Sequence, residues 1–134
     1  MSGEHNLKTL LQTMNPQVHG DVFVFCSLPR GKDIPAGLKP LMTFSETEGV
    51  TLIIRKDDAE AANLSYQFPS RLITLAVHSA LDAVGFIAAI ATCLAKAGIS
   101  VNPVSAFYHD HIFVPVQRAD EAMSILANLQ LARS

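Results

Sequence analysis

The spacing of hydrophobic residues changes along the chain, and this spacing predicts the elements of the fold. Between residues 7 and 14, three leucines and a methionine recur at helical intervals, which predicts a short amphipathic helix over residues 6–14. Asn6 can cap the start of this helix with its side-chain oxygen. The helix must end before Pro16, because the residue that precedes a proline is pushed out of the helical region.

The rest of the first half predicts strands around an irregular loop. Residues 21–28 are rich in Val and Phe and are interpreted as a buried strand. Three prolines and two glycines between residues 29 and 40 indicate a loop without a helix. Residues 41–46 and 50–55 are predicted to form a hairpin, and Gly49 in its turn is expected to take a positive φ.

A short helix and a linker complete the first half. Asp57 or Asp58 is expected to cap a helix that runs to about Asn63. Residues 66–70 are interpreted as a linker that marks the internal boundary of the chain.

The second half alternates between strand and helix patterns. Residues 72–77 are apolar at both alternating sets of positions, which predicts a strand covered on both faces. The alanine-rich stretch at 83–97 predicts a helix that ends at Gly98 as its C-cap. The side chains expected on its inward stripe are Val84, Ile87, Ala91 and Leu94.

A proline indicates how the sheet of the second half is ordered. Residues 99–107 and 112–116 are predicted strands, and residues 119–131 a final helix. Pro103 cannot donate to a strand ladder and therefore belongs on an edge strand. In a ferredoxin-like βαββαβ sheet the second strand lies at an edge, and the strand with Pro103 is the second of this half. The predicted fold class is therefore α+β, ferredoxin-like βαββαβ.

This order of elements also predicts how the chain is divided. We expect two intertwined units, of which the N-terminal one is degenerate. Residues 1–70 are expected to hold the N-terminal helix and the degenerate unit. Residues 71–134 are expected to form the second unit, completed by the strand at 21–28.

Composition narrows the class of protein. Hydrophobic residues make up 49% and charged residues 16%, which disfavours disorder and suggests that another subunit covers some apolar surface. The net charge is −2 without a run of Lys or Arg, so nucleic-acid binding is not expected. No apolar run reaches the length of about 20 residues that spans a membrane, and the first residues lack the pattern of a signal peptide. Cys26 and Cys93 are expected to be free thiols in a reducing cytoplasm.

Four segments of the chain carry a resemblance to a known family. They are FSETEGVTLII at 44–54, LITLAVHSALDAVGF at 72–86, LAKAGISVN at 94–102 and FYHDHIFVPV at 107–116. They resemble the ACT-domain superfamily, and the chain is most similar to its compact members that stand alone without an enzyme. The resemblance implies an ACT-like fold and the sensing of a small ligand, an amino acid above all. It also implies a homodimer or higher homo-oligomer, and no cofactor.

The loop from Ser79 to Gly85 is the leading candidate for the ligand site. It precedes a helix, whose first N–H groups have no partner within the helix and attract a carboxylate. Gly85 permits a ligand or a neighbouring backbone to approach closely. The resemblance implies that an amino acid binds at this loop against the second strand of a neighbouring unit, in the same chain or across a dimer. The loop residues expected at the site are Ser79, Asp82, Ala83, Val84 and Gly85. A plain helix cap made by Asp82 is the alternative.

Three other polar residues are candidates for holding the ligand's amine. Asn102 can both donate and accept hydrogen bonds, and the resemblance implies that it contacts the ligand. A hydrogen bond to an edge backbone group is the alternative role for Asn102. Glu46 and Glu48 flank the predicted hairpin turn, where they could receive an ammonium group or simply be solvated.

His109, Asp110 and His111 form a polar run between two predicted strands. A transition-metal site usually needs three or four ligands, and no motif supplies the others, so no metal is expected. The run is interpreted as a polar hairpin at a subunit contact, with His78 as a possible neighbour. The chain has no nucleophile elbow, no P-loop and no dinucleotide-binding motif, so no catalytic residue is predicted.

These observations lead to one main hypothesis and two alternatives. The main hypothesis is a non-catalytic, cytoplasmic module that binds an amino acid and has a regulatory role. The first alternative is a structural oligomerisation module that has lost its pocket. The second alternative is a small enzyme with a composite site made of His78, His109 and His111.

Overall fold

The computed structural model describes residues 3–132. Their contacts form two compact units. We call residues Asp21–Ser70 the central unit, and the residues up to Gly20 together with those from Arg71 onward the composite unit. Each unit is described by itself below.

The elements follow the chain in a mixed order of helices and strands. They are α1 (Leu7–Thr13), β1 (Pro16–Leu28), β2 (Met42–Ser45), β3 (Val50–Arg55), α2 (Lys56–Ala61), β4 (Gln67–Leu75), α3 (Phe86–Lys96), β5 (Asn102–Ser105), β6 (Asp110–Pro115), a 3₁₀ turn (Val116–Arg118) and α4 (Ala119–Ala132). Strands β1 and β4 contribute residues to both units. The predicted α+β class is confirmed.

The core of the composite unit lies between its helices and one face of its strands. Alternate residues of β4 and β6 supply the strand side of this core, because successive side chains on a strand point to opposite faces. The fully or almost fully buried side chains of this core are Leu10, Leu11, Met14, Ile73, Leu75, Phe86, Ile90, Leu94, Ile99, Ile112, Val114, Ala119, Ala122 and Leu126. Helix α1 begins as predicted, since the Asn6 side chain accepts a hydrogen bond from the Thr9 N–H at 3.0 Å.

Helix α3 begins later than its sequence pattern suggested, and it buries a different stripe. Gly85 is its N-cap, with φ at 95°, and the buried side chains are Phe86, Ile90 and Leu94. The prediction that Val84 faces inward is wrong, because Val84 lies before the helix and is 83% exposed. The end is as predicted: Gly98 takes a φ of 73°, and the N–H groups of Gly98 and Ile99 bond to the last turn of the helix.

Strand β5 confirms the position expected for Pro103. The strands of the composite unit follow the order β4, β6, β5, so β5 lies at the edge. Pro103 faces Ile112 across the antiparallel pair. The strand is shorter than predicted, because it covers four residues and the chain then turns towards β6.

The central unit is built around a hairpin. Its strands follow the order β2, β3, β1, and both pairs are antiparallel. The predicted hairpin is confirmed, but the predicted positive φ at Gly49 is wrong. A Cβ at Gly49 would lie 2.5 Å from the Leu28 carbonyl oxygen, so the close approach of two backbones explains this glycine.

Three other expectations for the first half need correction. Strand β1 starts at Pro16, five residues before the predicted strand. Helix α2 has Arg55 at its N-cap without a side-chain cap bond, and Asp58 instead accepts two hydrogen bonds from Arg55 at 3.1 Å. Most of the predicted linker at 66–70 belongs to β4, whose apolar positions continue the alternation of the strand.

The central unit lacks a helix between its first strand and its hairpin, in agreement with the expectation that the N-terminal unit is degenerate. Its chain runs β1, loop, β2, β3, α2, and residues 29–41 between β1 and β2 contain no helix. The composite unit runs β4, α3, β5, β6, α4, with a helix at the corresponding crossover. The division into modules at 1–70 and 71–134, with the second completed by the strand at 21–28, stays a prediction.

Candidate functional site

The composite unit contains a cavity of about 170 Å³ beside the start of α3. Its walls come from the loop after β4, from the first turn of α3, and from the chain around the turn between β5 and β6. The lining residues are Ser79, Ala80, Leu81, Ala83, Gly85, Phe86, Ile87, Ala88, Ser105, Ala106 and Asp110.

The loop on one side of this cavity is held by the N-terminal segment. Glu4 forms a parallel bridge to Ser79: the Glu4 N–H donates to the His78 carbonyl at 2.8 Å, and the Ala80 N–H donates to the Glu4 carbonyl at 2.9 Å. Gly3 packs directly on this loop, because a Cβ there would lie 2.7 Å from the Ala80 nitrogen. The segment therefore restrains the backbone that forms the cavity wall.

A helix start forms the second wall. The first N–H groups of a helix have no partner within the helix and carry a partial positive charge. In α3 these groups belong to Phe86, Ile87 and Ala88, which all line the cavity. The Gly85 N-cap contributes no side-chain bond, and the first turn contains no acidic residue. The wall therefore offers favourable contacts to a small anion such as a carboxylate.

Asp110 places a buried carboxylate in the third wall. It is 7% exposed, and Ser79, 6% exposed, donates its hydroxyl to Asp110 Oδ2 at 2.8 Å. None of the ion pairs found among residues 3–132 includes Asp110. A carboxylate can accept about four hydrogen bonds, so it retains capacity for a cationic group that enters the cavity.

Asp110 was not among the ligand residues predicted from the sequence. The run from His109 to His111 was interpreted as a polar hairpin at a subunit contact, and His109 and His111 entered only the alternative of a histidine enzyme. The sequence does hold a signal that could have identified Asp110. Alternate residues of a strand share a face, so Asp110 lies on the same face of β6 as the apolar residues Ile112 and Val114. A carboxylate on the buried face of a strand is unusual and marks a special position.

The cavity brings together three of the residues predicted for the ligand loop. Ser79, Ala83 and Gly85 line it. Asp82 does not line it and is paired with His5, with 2.7 Å between Asp82 Oδ1 and His5 Nε2. Val84 is on the same loop but points into solvent.

The other three predicted residues lie elsewhere. Asn102 is exposed at the start of β5, where it faces Phe113 across the strand pair. Glu46 and Glu48 are exposed in the hairpin of the central unit, and Glu46 accepts a hydrogen bond from the Thr51 hydroxyl.

His19 on β1, Thr74 on β4 and His111 on β6 form a separate polar group. His19 Nε2 and His111 Nδ1 lie 2.8 Å and 3.0 Å from the hydroxyl oxygen of Thr74. The pKa of His111 is lowered, first by burial and then by the neighbouring His109 and His19, while Asp110 opposes this shift. Between residues 3 and 132, no group of three or more His, Cys, Asp or Glu side chains is arranged to hold a metal ion.

Cavities also lie among the described residues of the central unit, and two of them are larger than the one beside α3. One, of about 380 Å³, is lined by Phe25, Cys26, Ser27, Thr51, Ser65, Tyr66 and Gln67. The other, of about 460 Å³, is lined by Phe23, Gly37, Lys39, Pro40, Leu41, Arg55 and Asp58. The second cavity includes Arg55, the N-cap of α2, and Asp58 in the first turn of α2, but Asp58 is only half-buried and is paired with Arg55. Neither cavity therefore combines a helix start with a buried carboxylate that lacks an ion-pair partner, as the cavity beside α3 does. No helix within the described range 3–132 is long and apolar enough to cross a membrane.

Comparisons with known proteins agree with the resemblance noted in the sequence. A family model for the ACT domain matches residues 2–71, and a second ACT domain model matches residues 67–128. A solved protein of unknown function from Vibrio cholerae, described as a possible transport protein, has 41% identity and a TM-score of 0.83 over 92% of this chain and 95% of its own. No curated protein matches the chain.

Two more distant structures share the fold. A protein from Agrobacterium tumefaciens has 19% identity and a TM-score of 0.70, covering 82% of this chain and 84% of its own. The regulatory subunit of aspartate kinase from Thermus thermophilus, in its ligand-free form, has 11% identity and a TM-score of 0.65, covering 88% and 97%. At these identities the likeness concerns the fold alone.

Proposed function

Because the chain belongs to the ACT domain family, we propose that it is a regulatory module that binds a free amino acid in the cavity beside α3. The observation that carries the proposal is the pairing of Asp110 with the first turn of α3 in one small cavity. The helix start attracts a negative group and the Asp110 carboxylate attracts a positive one, so together they suit the two charged groups of a free amino acid.

The buried carboxylate is the stronger half of this argument. Burying a charge is costly unless the charge is paired and hydrogen-bonded. Asp110 accepts a hydrogen bond from Ser79 but belongs to none of the ion pairs among residues 3–132. The ammonium group of an amino acid supplies the missing cation, and the ligand's carboxylate then meets the N–H groups of Phe86 to Ala88.

The lining also supports a binding role without catalysis. Asp110 is the one ionisable side chain among the residues that line this cavity. General acid–base chemistry usually employs a proton donor and a proton acceptor within reach of the substrate. The alternative of a histidine enzyme gains no support, because His78, His109 and His111 are absent from this lining.

Ligand binding would act by joining two segments of the composite unit. One contact is made to the loop and helix start, and the other to Asp110 at the start of β6. A ligand shifts a conformational equilibrium only by its difference in affinity for the two states. The state in which these segments are close together is therefore the one that the amino acid favours.

We also propose a homo-oligomer, with the apolar surface near the cavity as its contact. Leu81, Val84, Phe107 and Tyr108 are each at least 59% exposed. Exposed apolar groups in clusters mark interaction sites more often than isolated ones do. Light scattering during gel filtration tests this proposal: a monomer at micromolar concentration would contradict it. A cytoplasmic location stays a prediction.

The remaining residues predicted from the sequence enter this proposal in different ways. Ser79, Ala83 and Gly85 are part of the proposed site. Asp82 and Val84 belong to its loop, and a role for them remains a prediction. The same holds for Asn102, Glu46 and Glu48, which lie outside this cavity.

A binding screen with one isosteric variant tests the proposal. At a ligand concentration one hundred times the dissociation constant, binding adds about 2.7 kcal/mol to the free energy of unfolding. We expect one or a few of the twenty amino acids to raise the melting temperature of the wild type. In Asp110→Asn the affinity should fall at least tenfold, because the ammonium group loses its charged partner.

Two further variants serve as comparisons. Asp120→Asn changes an exposed carboxylate of α4 and should leave the affinity unchanged. Asn102→Ala tests the sequence-based prediction that this amide holds the amine, and a tenfold loss there with none in Asp110→Asn would replace our assignment. The absence of any shift with the wild type would contradict the proposed function.

A further inference from the structure

The walls of the cavity beside α3 also restrict which amino acid can enter. We propose that this site selects amino acids with short, uncharged side chains, such as alanine and valine, and rejects charged and large aromatic ones. This inference rests on the proposed function. It concerns the ligand's side chain, which neither the family match nor the fold identifies.

The first argument is the chemistry of the lining. Beyond the polar end formed by Ser79 and Asp110, the walls consist of aliphatic side chains and backbone: Ala80, Leu81, Ala83, Ile87 and Ala106. A charged side chain in these surroundings would lose its hydration without gaining a partner. Because the proposed ammonium contact occupies Asp110, no second ionisable side chain of the lining remains for a lysine, arginine, aspartate or glutamate ligand.

Asp82, the carboxylate on the loop that lines the cavity, offers no partner to a charged ligand side chain. Asp82 belongs to the same loop, but it is absent from the lining, and its Oδ1 lies 2.7 Å from His5 Nε2. A cationic ligand side chain would have to leave the cavity and displace His5 in order to use it.

The second argument is size. The cavity volume is about 170 Å³, whereas pockets for drug-sized ligands span about 300–1,000 Å³. One wall cannot retreat easily, because Phe86 is 3% exposed and belongs to the hydrophobic core. The room that exists depends on the small residues Ala83 and Ala106, so a large aromatic side chain would require repacking.

The expected discrimination has a known scale. One methylene group more or less in an apolar pocket changes the specificity by about 10- to 200-fold. An apolar pocket rejects an added hydroxyl only weakly, by about 100-fold at most. Valine should therefore bind better than threonine by up to about 100-fold, and better than lysine and phenylalanine by at least as much.

Calorimetric titration of the full chain tests this preference. The probes are alanine, valine, threonine, leucine, phenylalanine, lysine and aspartate, each titrated separately. We expect the tightest binding among the first three. If lysine, aspartate or phenylalanine binds tightest, the inference is wrong while the proposed function stands. If none of the twenty amino acids binds, the proposed function itself fails.

Two variants make the test independent of the wild-type ranking. Leu81→Ala removes a side chain that is 63% exposed, so folding should be unaffected, and it should shift the preference towards leucine by at least about tenfold. Ala83→Val narrows the cavity and should shift the preference towards alanine. Leu131→Ala, at a 71% exposed position of α4, is the matched control and should leave the ranking unchanged. An unaltered ranking in Leu81→Ala would overturn the inference even if Ala83→Val did not fold.

Discussion

The hairpin β2–β3 of the central unit and the hairpin β5–β6 of the composite unit have the same register. Ser45 pairs with Val50 in the first, and Ser105 pairs with Asp110 in the second. The turns are also alike, since an N–H to carbonyl bond closes each one, from Glu46 to Gly49 and from Ala106 to His109. Asp110 thus occupies the position that Val50 has in the central unit.

The segments that precede the two hairpins differ: a helix precedes one hairpin and an irregular loop precedes the other. In the composite unit, α3 precedes the hairpin, and its first turn and Asp110 line one cavity. In the central unit, residues 29–41 form a loop with three prolines, and the hairpin begins with a valine. The comparison teaches that the same hairpin frame occurs with and without the groups of the candidate site. A zwitterion site needs a helix start and a carboxylate together, and the central unit has neither at these positions.

The largest expected difference between the two units concerns the segment before each hairpin. Phe86→Ala should lower the free energy of unfolding by about 3–5 kcal/mol, because it leaves a cavity in the core of the composite unit. Ile34→Ala, at a 39% exposed position of the central loop, should change it by about 0.5 kcal/mol or less. Urea denaturation measures both. Similar losses in the two variants would show that the loop carries as much packing as the helix.

Exchanging the two equivalent hairpin residues gives the second effect. Val50→Asp should cost about 1–3 kcal/mol, because it places a carboxylate without a partner on the partly buried start of β3. Asp110→Val removes a buried charge but leaves the buried Ser79 hydroxyl without its acceptor. The two effects oppose each other, so this variant should change stability less than Val50→Asp, and it should abolish amino-acid binding. Thermal unfolding and calorimetric titration measure the two outcomes. A marked loss of stability in Asp110→Val would assign Asp110 a structural role.

The residue before each of these positions, Gly49 in one hairpin and His109 in the other, gives a third contrast. Gly49→Ala should cost about 1–3 kcal/mol, because its Cβ would lie 2.5 Å from the Leu28 carbonyl oxygen, which belongs to the backbone. His109 occupies the equivalent position of the other hairpin and already carries a full side chain. His109→Ala should therefore change stability by about 0.5 kcal/mol or less. The contrast is disproved if both variants unfold at the same urea concentration.

The smallest expected effect is a pH dependence confined to the composite unit. All five histidines lie outside the central unit. Since burial and the neighbouring His109 and His19 lower the pKa of His111 in the folded chain, the unfolded chain binds more protons below the ordinary value of about 6.5. Stability should therefore fall as the pH decreases from about 6.5 through the lowered pKa, and level off below it.

Amide exchange at different pH values locates this effect. The opening free energy of the composite unit should decrease on acidification, while that of the central unit should change less. His111→Gln should flatten the dependence in the composite unit. An equal slope in this variant and in the wild type would mean that other groups are responsible.

Most strands and helices were predictable because local pattern and tertiary environment agree. The alternation in β3 and β6, the capping of α1 by Asn6 and the end of α3 at Gly98 all depend on residues close in sequence. The errors occurred where a distant part of the chain decides. Gly49 is required by the Leu28 carbonyl, which is 21 positions earlier in the chain, so the turn sequence alone suggested the wrong reason for it.

The sequence by itself determined the family, the α+β class and the loop at which a ligand is expected. The family comes from the resemblance that four continuous segments carry. The class follows from periodicity and from proline and glycine positions, and the loop from the helix start that comes after it. Only the tertiary structure decided which polar residue completes the candidate site. Asp110 and Ser79 are 31 positions apart, and their hydrogen bond and burial exist only after the strands and α3 have packed. A carboxylate has the same covalent structure in a solvated turn and in a cavity wall, and its surroundings, which folding creates, distinguish the two.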